Sequence, residues 1–421
     1  MASNSNNSSN KVAVVLSGGG ALAAFETGVL SSLIEGKSPA TGGAPLRPDA
    51  YTGTSAGSFN AAMMAMYAKA EGPAAIKNLA DAWLNRIAER PGKANGVFRI
   101  RGNPLQYFDL AAMAANPVRP LVETARDAAH LATQWMRRTV ESVTGPGSLP
   151  NRAMRMFDLS EFFCVDAFRQ TLEASLTPSR IRSSGLQLRI AATNWKTGAK
   201  RMFTEADMTD QEGRHIVLAS SAIPGVFPPA RIGPDEYVDG GLVQNTPLSG
   251  ALEVGAEELH VVYLFPPVSD IPLQQIQDTV ETFNRVYTIL LATKLEEDIE
   301  TACWVNEGLT VMEKAEAGSP LDGKDAEHFT RVAGQIAAHQ GPVKRYRKLT
   351  IHRYFPGTDL GGALGVLNFE RRTIERLIEL GYKNGREHDC ARNGCLLKEQ
   401  SGQPEPPPPL SAPKVKASGA S

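Results

Sequence analysis

The chain has 421 residues, with 44 basic against 45 acidic side chains and 42% apolar residues. That balance supports a sizeable core and excludes the dense basic footprint of a nucleic-acid binder. No window approaches the 18 or more apolar residues of a membrane-spanning helix. Residues 1–10 form a Ser/Asn string without the apolar centre of a secretory signal. Lipid contact, if any, is therefore expected to be peripheral. Cys164, Cys303, Cys390 and Cys395 are few and scattered, which points to a reducing compartment, the cytoplasm by default, and away from a disulfide framework.

Val12-Ala13-Val14-Val15-Leu16 is a β-branched apolar run that stops at Ser17-Gly18-Gly19-Gly20, as a strand buried in a parallel sheet does. Residues 21–35 follow with Leu22, Phe25, Val29, Leu30 and Leu33 at helical spacing, ahead of a Pro/Gly linker over 36–48. A short strand over 49–52 runs into Gly53-Thr54-Ser55-Ala56-Gly57, and residues 59–68 are good helix formers. This alternation predicts an α/β fold whose loops gather at the carboxyl ends of the strands, where sites in such folds lie.

From 72 to 158 the character changes to Ala-rich helical segments broken by Pro73, Pro91, Pro104, Pro117, Pro120, Pro146 and Pro150, without a convincing strand. This is expected to be a helical insertion that could act as a lid. Within it, residues 121–143 predict one amphipathic helix with Leu121, Ala125, Ala128, Leu131, Trp135, Met136 and Val140 on one side, packed on the core or laid on a membrane surface. Strands resume at 186–193 and 200–204 as a hairpin around Lys196-Thr197-Gly198. The Ala219-Ser220-Ser221-Ala222-Ile223-Pro224-Gly225-Val226-Phe227-Pro228-Pro229 block follows, then Tyr237-Val238 as a strand ending in Asp239-Gly240-Gly241. Helices over 247–254, 273–303 and 369–386 alternate with strands over 259–265 and 349–355. The expected division is a disordered tail over 1–10, one domain over 11–396 and a disordered Pro-rich tail over 397–421.

Ser55 carries the chemistry. A serine hydroxyl is a weak nucleophile and must stand proud of the fold on a tight turn, where flanking side chains larger than hydrogen would collide; Gly53 and Gly57 meet that need. Acyl transfer also requires donors for an oxyanion and a base for the hydroxyl proton. Gly18, Gly19 and Gly20 can present backbone N–H groups to one point, and Asp239, at a strand end before Gly240 and Gly241, can be aimed into a cleft.

Taken together and in order, Ser17-Gly18-Gly19-Gly20, Gly53-Thr54-Ser55-Ala56-Gly57, the 219–229 block and Asp239-Gly240-Gly241 resemble the patatin-like phospholipase family over roughly residues 12–265. The resemblance implies a three-layer α/β fold with a mostly parallel central sheet, the 11–396 unit being the catalytic domain. It also implies a Ser-Asp dyad without histidine, so Ser55 would be the nucleophile, Asp239 its base and Gly18, Gly19 and Gly20 the oxyanion loop. The implied activity is lipid acyl hydrolysis of the phospholipase A or lysophospholipase type, with a lipid substrate, peripheral membrane contact and no cofactor. The chain departs from the family pattern at Leu22 and Ala23, where a basic residue and glycine are usual, and at Ser17, where an acidic residue is usual.

Other readings compete. Gly18-Gly19-Gly20-Ala21-Leu22-Ala23 also fits the dinucleotide fingerprint, which needs an acidic residue at the end of a second strand; the nearest, Glu35, reads as a helix end. A lipid-binding or scaffold protein that kept the fold without turnover is a further alternative. His260 and His352 follow the order of a triad histidine, but each falls in a predicted strand and reads as structural. His388, Cys390 and Cys395 offer three metal ligands without a fourth nearby, so no metal is expected.

Overall fold

The computed structural model describes residues 10–90, 95–101, 118–144, 163–265, 279–320, 347–358 and 365–398, together with 322, 323, 325, 327, 360 and 361. The tails expected to be extended lie almost wholly outside these residues.

Strand β1 (Val12–Leu16) is the centre of the sheet, paired in parallel with β2 (Ala50–Thr54) on one side and β9 (Glu258–Val262) on the other. Its alternation sorts residues into two layers: Val14 and Leu16 join one apolar cluster, Ala13 and Val15 the other. A run apolar on both faces is what helices on both sides of a sheet require. Helices α1 (Ala24–Ile34), α2 (Ala56–Ala65) and α3 (Gly72–Ala82) fill the first layer, where Ile76, Leu79 and Trp83 are buried with Phe25 and Phe59. The opening of the 72–158 segment therefore packs into the main core.

Two short strands that alternation could not reveal, β3 (Arg99–Ile100) and β4 (Phe163–Cys164), pair antiparallel. Two residues are too few to show a period. Between them α4 (Arg119–Thr144) is the amphipathic helix expected over 121–143, and it turns the apolar side outward: Leu121, Trp135, Met136 and Val140 are 73, 64, 60 and 59% exposed. Of the two readings open to that helix, packing of this face on the core does not occur. Its inward side is polar, with Asp127 buried against the Arg99 guanidinium at 2.5 Å and Arg101 at 3.5 Å.

Helices α5 (Asp166–Ser175) and α6 (Pro178–Ser183) lead into β5 (Gln187–Asn194), which hairpins with β6 (Lys200–Thr204). Helix α7 (Gly213–Ser220), strands β7 (Ala230–Ile232) and β8 (Asp235–Asp239) and helix α8 (Leu248–Glu253) precede β9. Long helix α9 (Thr279–Glu316), strand β10 (Thr350–Tyr354) and helix α10 (Arg371–Arg386) complete the described elements. The sheet order is β10-β9-β1-β2-β5-β8-β7, with β6 also on β5. The first five are mutually parallel, β6 and β8 run antiparallel to β5, and β7, antiparallel to β8, runs with the first five, so the sheet is mostly parallel and flanked by helices. No helix among the described residues is long and apolar enough to cross a membrane.

Candidate active site

Strand register brings the two chemical residues together. The last residue of β2, Thr54, pairs with Ala191 of β5, and Asp239, the last of β8, pairs with the next residue, Ala192. Strands β2 and β8 thus approach each other end to end along one edge of β5, and Ser55 emerges beside Asp239, where its side chain favours the charged carboxylate.

Ser55 begins α2 with φ 54 and ψ −128, the one positive-φ residue other than glycine among those described. Such a conformation costs about 1–3 kcal/mol and persists only where its surroundings impose it. Gly53 and Gly57 allow that: a Cβ on Gly53 would collide with the Gly57 carbonyl, and one on Gly57 would lie 2.6 Å from the carbonyl oxygens of Leu16 and Ser17. Ser220 fixes the turn from below. Its hydroxyl donates to the Ala191 carbonyl at 2.7 Å and accepts the Ser55 N–H at 2.9 Å. The Ser58 hydroxyl donates to the Ser55 carbonyl at 2.6 Å.

Asp239 is 2% exposed. One carboxylate oxygen accepts the Gly241 N–H at 2.7 Å, its own N–H donates to the Ala222 carbonyl at 2.9 Å, and its carbonyl accepts the Thr193 hydroxyl at 3.0 Å. Burial pushes its pKa from 3.8 to about 7, against the opposing pull of the Ser55 and Gly241 donors.

The glycine loop divides its work. The Gly18 N–H donates to the Asn245 carbonyl at 3.1 Å, and the Asn245 amide returns a bond to the Gly18 carbonyl at 3.1 Å. Gly18 is thereby spent on holding the loop, which leaves Gly19 and Gly20 as its other backbone donors. Their N–H groups have no acceptor among the described residues.

Gly20 and Ser55 open onto a pocket lined by Phe59, Trp83, Ile87, Val97, Val165, Phe168, Leu218, Ile223, Phe227, Val366 and Phe369, with Arg169 the one charged lining residue among those described. Phe98, Phe163, Phe227 and Phe369 form an aromatic wall with centroids 5.2–6.2 Å apart. Beneath it the Asn60 amide donates to Glu26 at 2.8 Å and its oxygen accepts the Trp83 indole N–H at 2.8 Å. Burial raises the Glu26 carboxyl well above the usual range despite donors from Asn60 and the Ser17 backbone, and through Asn60 it cross-links α1 and α2.

Ser220, Asn245, Glu26 and Asn60 are site residues that carry no sequence signal of their own, except that Ser220 falls in the 219–229 block. His260 and His352 pair in register on β9 and β10 and do not line the pocket. The His260 ring meets Tyr354 Oη at 2.9 Å and Glu258 at 3.1 Å.

Residues 14–252, more than half of the chain, match the family model described as patatin-like phospholipase. The chain belongs to the patatin-like phospholipase family. The matched span of this patatin-like chain contains the glycine loop, the Ser55 turn, the 219–229 block and Asp239, while α9, β10 and α10 lie beyond it. Among solved structures it is similar to VipD from Legionella pneumophila, with a TM-score of 0.34 and 14% identity, over 89% of this chain and 66% of that one. The chain thus spans just under two thirds of that protein's length. The family is one of lipid acyl hydrolases.

Proposed function

We propose that this patatin-like chain cleaves fatty-acyl esters of phospholipids or lysophospholipids through an acyl-enzyme at Ser55, with Asp239 as general base. The observation that carries the reading is Ser55, on its strained turn, set beside a buried carboxylate at the mouth of an apolar pocket. A carboxylate of ordinary pKa is too weak a base for a serine hydroxyl; one raised to about 7 by burial is better matched to work near neutral pH.

Ser55 Oγ attacks the ester carbonyl as its proton passes to Asp239. The oxyanion takes the N–H groups of Gly19 and Gly20 and the field of the α2 N-terminus. Asp239 then returns the proton to the leaving alkoxide, giving the acyl-enzyme. Water attacks that ester with Asp239 again as base, and the fatty acid leaves with Ser55 restored. The apolar walls bind the acyl chain and exclude water from the carboxylate. The catalytic domain of this reading is 11–396, and the exposed apolar face of α4, within the 72–158 insertion, is its contact with a lipid surface.

An activity-based fluorophosphonate tests the nucleophile. Labelling at Ser55, lost in Ser55→Ala, is expected alongside release of fatty acid from lipid vesicles. A folded chain that takes no label, with or without vesicles, would instead be a lipid-binding protein of the same fold.

A further inference from the structure

The fold completes a side-chain set that the sequence left one ligand short. His388, Cys390 and Cys395, on the turn after α10, close on His352 of the edge strand β10, and one ligand atom from each of the four lies within 4.8 Å of the others. His352 Nδ1 is 3.5 Å from Cys390 Sγ, and His388 Nε2 is 3.5 Å from Cys390 Sγ and 3.4 Å from Cys395 Sγ. Bonds of about 2.3 Å to sulfur and 2.0–2.1 Å to nitrogen at a tetrahedral angle require nitrogen–sulfur edges of about 3.5 Å. His352, His388 and Cys395 are 7, 4 and 3% exposed, and all four cysteines of the chain are free thiols.

The surroundings suit a metal centre. The Asn393 side-chain amide lies 2.8 Å from His388 Nδ1, orienting the ring so that Nε2 points at the thiols. The Arg353 backbone N–H donates to Cys395 Sγ at 3.3 Å, a bond that suits a thiolate. His260 stacks on His352 at 4.9 Å but engages Tyr354 and Glu258 through its own nitrogens, so it buttresses the ring and is not a ligand. The turn itself is preformed: the Cys395 N–H donates to the Cys390 carbonyl at 2.9 Å, and the Asp389 carboxylate accepts the N–H groups of Ala391 and Arg392.

We propose that His352, His388, Cys390 and Cys395 form a structural zinc site. Two nitrogens and two sulfurs in a tetrahedral arrangement select zinc among common divalent ions, and four protein ligands leave no open position for catalysis. Binding displaces one proton from each thiol to solvent and forms two Zn–S and two Zn–N bonds, with no change of oxidation state. The ion would clip the segment after α10 to the sheet's edge strand, where Ile351 and Leu396 already exchange backbone bonds at 2.7 and 3.0 Å. This inference is independent of the Ser55 chemistry.

Elemental analysis of the full chain, purified under reducing conditions without chelator, is expected to find about one zinc per chain, falling at least about tenfold in Cys390→Ser and His388→Ala and unchanged in Cys164→Ser and Cys303→Ser. Should those variants misfold, the wild-type chain still decides. Stripped with chelator and titrated with Co²⁺ alone, it is expected to saturate at one equivalent with thiolate-to-cobalt charge transfer and the visible bands of tetrahedral cobalt. Absence of bound zinc together with a cobalt spectrum lacking the thiolate band overturns the proposal, as does a Cys390–Cys395 disulfide in the reduced preparation.

Discussion

Replacing Asp239 by Asn separates the cost of the buried carboxylate from its use. Raising its pKa from 3.8 to about 7 means that ionisation within the fold costs, at about 1.4 kcal/mol for each tenfold, about 4 kcal/mol. The sign follows from proton counting. Between pH 3.8 and about 7 the folded chain holds a proton that the unfolded chain has released, so stability falls as pH rises through that window and levels off above it. Asn cannot ionise, yet its carbonyl can still accept the Gly241 N–H. Asp239→Asn is therefore expected to match the wild type near pH 4 and to exceed its stability by up to about 4 kcal/mol at pH 9. At about 2 cal/mol/K per residue over the whole chain, that is roughly 4–5 °C in Tm. Hydrolysis moves the opposite way. Wild-type kcat/KM is expected to rise through an apparent pKa of about 7, and the variant to lose about 10²–10⁴-fold or more. Calorimetric melts of both proteins across this pH range, with ester turnover in parallel, measure both arms. A variant no more stable than wild type at pH 9, or one that retains turnover, would refute the buried-base argument.

Four further outcomes follow from the same geometry. Ser220→Ala removes the buried acceptor of the Ser55 N–H and is expected to cost about 1–3 kcal/mol and to lower kcat more than KM; an unchanged kcat would show that the turn holds without it. Gly57→Ala forces a Cβ to within 2.6 Å of two backbone carbonyl oxygens, and urea unfolding should show a loss of upwards of about 3 kcal/mol at unaltered m. Val97→Trp narrows the pocket; with about 0.8 kcal/mol for each buried methylene, every one excluded should lower kcat/KM about fourfold, so a chain-length series that keeps its wild-type optimum argues against an acyl site there. Leu121→Glu with Trp135→Glu, on the outward face of α4, should weaken partition onto vesicles at least about tenfold, and equal sedimentation with vesicles by both proteins would remove that helix from lipid contact.

The legible parts of the chain were those whose physics is local. A strand buried on both faces must be apolar without interruption, and β1 is; a serine at φ 54 needs small neighbours two residues either side, and Gly53 and Gly57 supply them. The short strands β3 and β7 offer two and three residues, too few for any period. What stayed hidden was held by distant partners. Ser220 meets Ser55 across 165 positions and Asn245 meets Gly18 across 227, and neither residue type announces the contact. The same holds for His352, separated from Cys390 by 38 positions and the whole of α10. A spacing rule that looks for a fourth ligand beside the other three cannot find one that arrives on a neighbouring strand.

Helix α4 shows a different limit. A face that packs on a core and a face that meets lipid require the same spacing of apolar residues, so periodicity alone cannot choose between them. The polar side decides. Asp127 falls on the side opposite Met136 and Val140 and is wholly buried, which is tolerable only with cationic partners; Arg99 and Arg101, brought in on and beside β3, provide them. Once that carboxylate is committed inward, rotation of the helix to bury Met136 would strand Asp127 away from its guanidinium. The ion pair therefore holds the apolar face toward solvent.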